Sequence, residues 1–138
     1  MKNILLAFIL IFSASLFAQN LEKGPIKYVK ITQKKCLKKK GNQLVLKEVL
    51  TDSRCPEGAT CVWAGEVSAV VSVYKDSKLI EDNTVVFSMK NAEDNKQWFS
   101  KYLPEKQRKI NSITVFPYPK AGTTINPKDH YIKIGYFK

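Results

Sequence analysis

Histidine occurs once in this 138-residue chain, cysteine three times, and acidic residues 12 times against 23 lysines and arginines. A single histidine, His130, leaves nothing to build a histidine metal cluster, and the sequence has no glycine-rich phosphate loop. Three cysteines allow at most one internal bridge and leave one thiol over. After the first residues no apolar run approaches the roughly 20 residues a membrane helix needs. There is also no repeat of fixed period, no low-complexity tract and no linker-like stretch, so the chain reads as one domain.

What is present begins with a targeting pattern. Lys2 is followed by an apolar run from Ile4 to Phe12, and then by small residues at alternate positions up to Ala18. The expectation is a signal peptide over residues 1–18, cleaved after Ala18, a loose N-terminus over 19–25, and a single β domain over 26–138. The mature protein is expected to be secreted or periplasmic, with no transmembrane segment. Cleavage removes one basic and no acidic residue, which lowers the formal charge from +11 to +10. Such a balance favours solubility and draws a protein toward polyanions: lipid head groups, acidic polysaccharide or nucleic acid. Export makes nucleic acid the least favoured of the three. A domain of this size buries on the order of 65% of its unfolded surface, enough for a core without help from bridges.

Along the chain, short runs of branched aliphatics alternate with turn residues. Ile26 to Ile31 reads as a first strand, joined through a basic stretch ending at Gly41-Asn42, as in a hairpin, to a second over Leu44 to Leu50. Glu66 to Tyr74 has the clearest period of two, with Val67, Ala69, Val71 and Val73 on one face and Ser68, Ser72 and Tyr74 on the other. Lys75 to Lys78 supplies a turn and Leu79 to Met89 another strand. Asn91 to Asn95 reads as a polar break that can supply a helix cap, ahead of a short helix carrying Trp98, Phe99, Tyr102 and Leu103, stopped by Pro104. Ile110 to Phe116 and Tyr131 to Phe137 read as the last two strands, with Ile132 and Ile134 sharing a face. The fold class expected is all-β and mostly antiparallel, a small sandwich or barrel with at most one short helix.

The stretch Asp52 to Glu66, DSRCPEGATCVWAGE, interrupts this pattern. Cys55 and Cys61 have five residues between them, including Pro56 and Gly58, so the chain can turn back and join the sulfurs. A metal pair is the rival reading, but the spacing is not that of zinc sites and no second pair exists, so a disulfide is favoured and no metal or other cofactor is expected. Trp63 is expected to pack over the bridge as part of a structural corner. Arg54 has Asp52, Glu57 and Glu66 as candidate ion-pair partners. The functional reading of the same residues makes Arg54, Glu57 and Trp63 a preordered recognition surface.

DSRCP, then CVWAGE leading into a strand, and later VFPYP and the closing DHYIKIGY resemble a group of uncharacterised exported bacterial proteins and lipoproteins. The similarity covers most of residues 40 to 138. The resemblance implies a small, mostly β exported domain with a bridged loop; it brings no established activity, substrate or catalytic residue.

Cys36 lies outside those motifs, among Lys34, Lys35, Lys38, Lys39 and Lys40. Positive neighbours favour thiolate, so Cys36 is a candidate reactive thiol if exposed, and an inert one if buried. The lysines around it are candidates for a basic binding face. His130 follows Asp129 at the start of a strand, where neighbours point to opposite faces; it is expected at the surface, with no catalytic residues assigned. The leading expectation is an exported, non-enzymatic β domain that binds a cell-surface or periplasmic polyanion or protein through the bridged loop and a basic face. The alternatives are a protease-inhibitor-like module presenting the Cys55–Cys61 loop and, more remotely, an enzyme or redox protein using Cys36 or His130.

Overall fold

Val67, Ala69, Val71 and Val73 are all essentially inaccessible to solvent in the computed structural model, which describes residues 24–34 and 40–138. Their alternation is what a strand needs to bury one face. Among the described residues six antiparallel strands form: β1 (Ile26–Thr32), β2 (Asn42–Asp52), β3 (Val67–Lys75), β4 (Lys78–Phe87), β5 (Ile110–Phe116) and β6 (Tyr131–Phe137), with one α-helix, α1 (Ala92–Tyr102). They make two three-stranded sheets, in the orders β1-β6-β5 and β2-β3-β4. Ile31, Val115, Ile132 and Ile134 of the first sheet and Leu46, Val67, Ala69, Val71 and Val85 of the second share one core with Phe99 of the helix and Leu103 just after it. The architecture is therefore the expected all-β one, resolved as two sheets around a common interior.

The pairing differs from expectation at the N-terminal end. β1 does not form a hairpin with β2; it pairs with β6, so the chain passes from one sheet to the other between β1 and β2. Of the lysines in that crossover, Lys34 and Lys40 are exposed. Cys36, Lys35, Lys38 and Lys39 lie outside the described residues, as does the leader. β2 is longer than the aliphatic run that announced it, because two register shifts, between Leu46 and Glu48 and between Val49 and Thr51, keep it paired with β3 as far as Asp52. Bulges of this kind re-aim a strand, and here they deliver the chain into the bridged loop.

At the β3–β4 turn both Asp76 and Ser77 have positive φ, the geometry of a tight two-residue hairpin. The short helix forms as expected but starts already at Ala92, within the stretch expected as a polar break, and the Asn91 side chain does not cap it. Asn91 Nδ2 instead donates to the Val86 carbonyl at 3.4 Å, joined by Asn95 Nδ2 at 2.9 Å. Together they tie α1 to the edge strand β4, while Phe99 anchors it in the core and Trp98 packs edge-on against Phe99 at 4.9 Å. The helix thus covers the side where β4 and β5, the outermost strands of their sheets, would be open. No helix among the described residues is long and apolar enough to cross a membrane.

Candidate functional site

The loop between β2 and β3 is closed at its neck by Ser53. Its N–H donates to the Glu66 carbonyl at 2.9 Å, and its hydroxyl lies 3.1 Å from both the N–H and the carbonyl of Glu66. Gly65 has φ +69°, and a Cβ there would fall 2.0 Å from the Ser53 carbonyl oxygen, so only glycine permits this approach. Cys55 and Cys61 are joined by a disulfide with their Cα atoms 5.8 Å apart.

Arg54 is the centre of this loop, and it faces inward. Its side chain is only 9% exposed. Nε and Nη2 donate to Asp52 Oδ1 and Oδ2 at 2.8 and 2.5 Å, Nη1 donates to the Val115 carbonyl at 2.6 Å, and Nη2 reaches the Pro117 carbonyl at 3.1 Å. The guanidinium also stacks over Tyr118, 4.5 Å from the ring centre. Four of five N–H donors are thereby engaged within the fold. Of the three carboxylates that were candidate partners, Asp52 is the one used. Burial pushes the Asp52 carboxyl up, but the hydrogen bonds and charge of Arg54, with a smaller contribution from His130, outweigh it and hold the group below its usual value.

Glu57 stitches the far side of the loop to the segment after β5. Its N–H donates to the Pro119 carbonyl at 2.8 Å and its carbonyl accepts from Ala121 N–H at 3.1 Å, while its carboxylate stands 3.8 Å from Lys120 Nζ in solvent. Trp63 does not pack over the bridge as expected. It is 64% exposed, beside Val62 at 94%, because the inner side of the loop is occupied by Arg54 and Tyr118. A cleft of about 370 Å3 opens next to it, lined by Ala64, Phe87, Met89, Ile113 and Tyr118 among others.

A second surface was not anticipated from the sequence. Ile31, Ile132, Ile134 and Val115 point into the core, so their neighbours on β1, β6 and β5 point out. Lys30 stands directly opposite Lys133, and Tyr131 opposite both Thr32 and Phe116. Lys30 Nζ lies 4.6 Å from the centre of the Tyr131 ring, and Lys133 Nζ lies 4.1 Å from that of Tyr28. Each ammonium therefore sits over the tyrosine of the other strand. Phe116 stacks on Tyr131 at 5.6 Å, and the Tyr28 ring lies across Gly135, where a Cβ would come within 3.2 Å of it. No acidic residue projects from this face among the described residues, and neither lysine has a carboxylate within 4.0 Å there. The signal was legible as Tyr28-Val29-Lys30 and Tyr131-Ile132-Lys133, one spacing used twice.

His130 is buried, at 9% exposure, and not on the surface as expected. The short 3-10 turn Pro127–Asp129 brings the Pro127 carbonyl back to within 3.1 Å of Nδ1, which must donate to it. The Ser53 hydroxyl, which with Cys36 is one of the two nucleophiles a histidine-based triad could draw on, is engaged with Glu66, and Cys36 lies outside the described residues. Among the described residues no three His, Cys, Asp or Glu side chains converge as metal ligands. Comparison with protein-family models, with curated proteins and with solved structures finds no match to this chain.

Proposed function

We propose that this protein is an exported, non-enzymatic binding domain for anionic polymers, and that the tyrosine–lysine face of β1 and β6 is its binding surface. The observation that carries this reading is the direct opposition of Lys30 and Lys133 with no acid on their face. Like charges directly opposite one another cost stability. The reciprocal contacts with Tyr131 and Tyr28 offset that cost without neutralising either charge, as a salt bridge would have done.

The consequence is a pair of ammonium groups held at fixed positions on a stiff sheet, beside Tyr28, which is 56% exposed. A carboxylate or sulfate of a polymer bridges the two lysines, while the exposed Tyr28 ring receives its apolar faces. Because the side chains are already ordered by their contacts, binding loses little further freedom. The setting outside the cytoplasm, secreted or periplasmic after cleavage near Ala18, is supported by the leader pattern and by the disulfide, which persists in oxidising compartments.

A protease-inhibitor-like role for the Cys55–Cys61 loop is the second reading, supported by the loop's rigid base. It is disfavoured because the Glu57 N–H and carbonyl, which an enzyme cleft would need, are bonded to Pro119 and Ala121. The test of the main reading is retention of residues 19–138 on immobilised heparin at low ionic strength. Retention that falls with added salt is expected; passage without retention contradicts it.

A further inference from the structure

A second cleft, of about 440 Å3, lies between the edge strand β4 and the helix α1. It follows from the way α1 is hung on that edge. Asn91 and Asn95 hold the start of the helix to the Val86 carbonyl, and Phe99 holds its middle to the core. Asp94, Trp98 and Lys101 succeed one another at helical neighbour spacings, so a single stripe of α1 faces the cleft.

The chemistry of the lining differs from that of the chain as a whole. Four carboxamides, those of Asn83, Asn91, Asn95 and Gln97, line it, and its charged residues are one acid and one base, Asp94 and Lys101. On a chain with 23 basic and 12 acidic residues, a cleft balanced in charge offers a polyanion no net attraction. Much of its polarity has no partner in the fold. Nδ2 of Asn91 and of Asn95 is fixed on Val86, which leaves each Oδ1 an acceptor of set orientation. Among the described residues no hydrogen bond or ion pair engages either Oδ1, the carboxamides of Asn83 and Gln97, or the Asp94 carboxylate. Thr84 stands two positions before Val86 on the open edge of β4. Its N–H and carbonyl therefore point the same way as the Val86 carbonyl, out of the sheet and into the cleft.

We infer that this cleft binds an uncharged saccharide. A sugar hydroxyl donates and accepts at one atom, and a carboxamide answers with a donor and an acceptor in one plane. The Trp98 ring, held edge-on against Phe99 and Tyr102, supplies a fixed aromatic surface for the C–H face of a pyranose. An apolar ligand would bury the carboxamides unpaired, at a cost that a hydroxylated one avoids. The volume is within the range of small-ligand sites. The site is separate from the tyrosine–lysine face and owes nothing to net charge, so either reading can fail alone.

The experiment measures binding of residues 19–138 to four immobilised neutral polysaccharides, amylopectin, laminarin, glucomannan and galactan, at low and high salt. Binding to at least one is expected, with an affinity nearly independent of salt, in contrast to the heparin retention expected of the basic face. Asn83→Ala with Gln97→Ala removes two side chains that the fold does not use, and should weaken binding roughly tenfold without changing thermal unfolding. Lys30→Gln with Lys133→Gln should leave it intact. In a Trp63→Phe variant the remaining tryptophan emission comes from Trp98, and it should change as the soluble form of the bound polysaccharide saturates the protein. Binding to none of the four, binding unaffected by the Asn83 and Gln97 substitutions, or a Trp98 emission unmoved at saturation overturns the inference. Binding that disappears with salt or with the Lys30 and Lys133 substitutions assigns the polymer to the basic face and equally overturns it.

Discussion

Arg54 donates to the carbonyl of Val115 at 2.6 Å across 61 positions of sequence, and in doing so fastens the end of β2 in one sheet to β5 in the other. The Asp52 carboxylate accepts from the same guanidinium. Truncating Arg54 leaves that carboxylate and two carbonyls without their donor. Arg54→Ala is expected to cost about 3 kcal/mol, read as a fall in the urea midpoint with an unchanged slope. Arg54→Lys should recover less than half of the loss, because a point charge cannot reproduce the forked geometry.

The same pair makes stability depend on acid. The folded carboxyl of Asp52 titrates below its unfolded value. Its contribution is therefore complete above the unfolded value, near about pH 4, and is lost as the pH falls through the lower folded value. Melting temperatures followed between about pH 6 and 2 should decline less steeply for Asp52→Asn than for the wild type. Equal slopes would show that other carboxylates carry the acid response.

Two glycines of the bridged loop distinguish conformation from crowding. Both Gly58 and Gly65 have positive φ, but a Cβ at Gly58 meets open space whereas one at Gly65 meets the Ser53 backbone. Gly58→Ala is expected to cost about 1 kcal/mol. Gly65→Ala should cost about 3 kcal/mol or more, since Ser53 and Arg54 must shift. Thermal denaturation of the two variants, compared side by side, tests the ordering.

Removing the bridge should loosen the loop and spare the fold. The Cys55→Ser, Cys61→Ser double variant is expected to lose about 2 kcal/mol, with the far-ultraviolet spectrum unchanged. The short closed loop sets this modest figure, because the core is assembled from both sheets and the helix without any cysteine.

Much of this could be read from the chain, and the parts that could not have a common cause. The valines of β3, the aromatic stripe of α1 and the isoleucines of β6 are local patterns, and each predicts its own element because burial imposes a period on it. Strand partners are not local. Nothing near Ile26 to Thr32 says that the strand pairs with β6 and not with β2, so the expected hairpin between the first two strands does not form. The role of Arg54 depends on Val115 and Pro117, which only the assembled sheets bring to it. The burial of His130 depends on how the Pro127–Asp129 turn folds. The two Tyr-x-Lys segments were visible as letters, and register alone makes them one surface.

Whether that surface binds anionic polymers is decided by one comparison. Affinity for heparin as a function of salt should be measured for the wild type, for Lys30→Gln with Lys133→Gln, and for Lys75→Gln with Lys78→Gln at the tip of the other sheet's β3–β4 hairpin. Each double variant removes two positive charges, so net charge alone predicts the same loss for both. If Lys30 and Lys133 form the binding surface, the first variant loses roughly tenfold or more in affinity and shows a weaker salt dependence, and the second changes only slightly. Equal losses would contradict it.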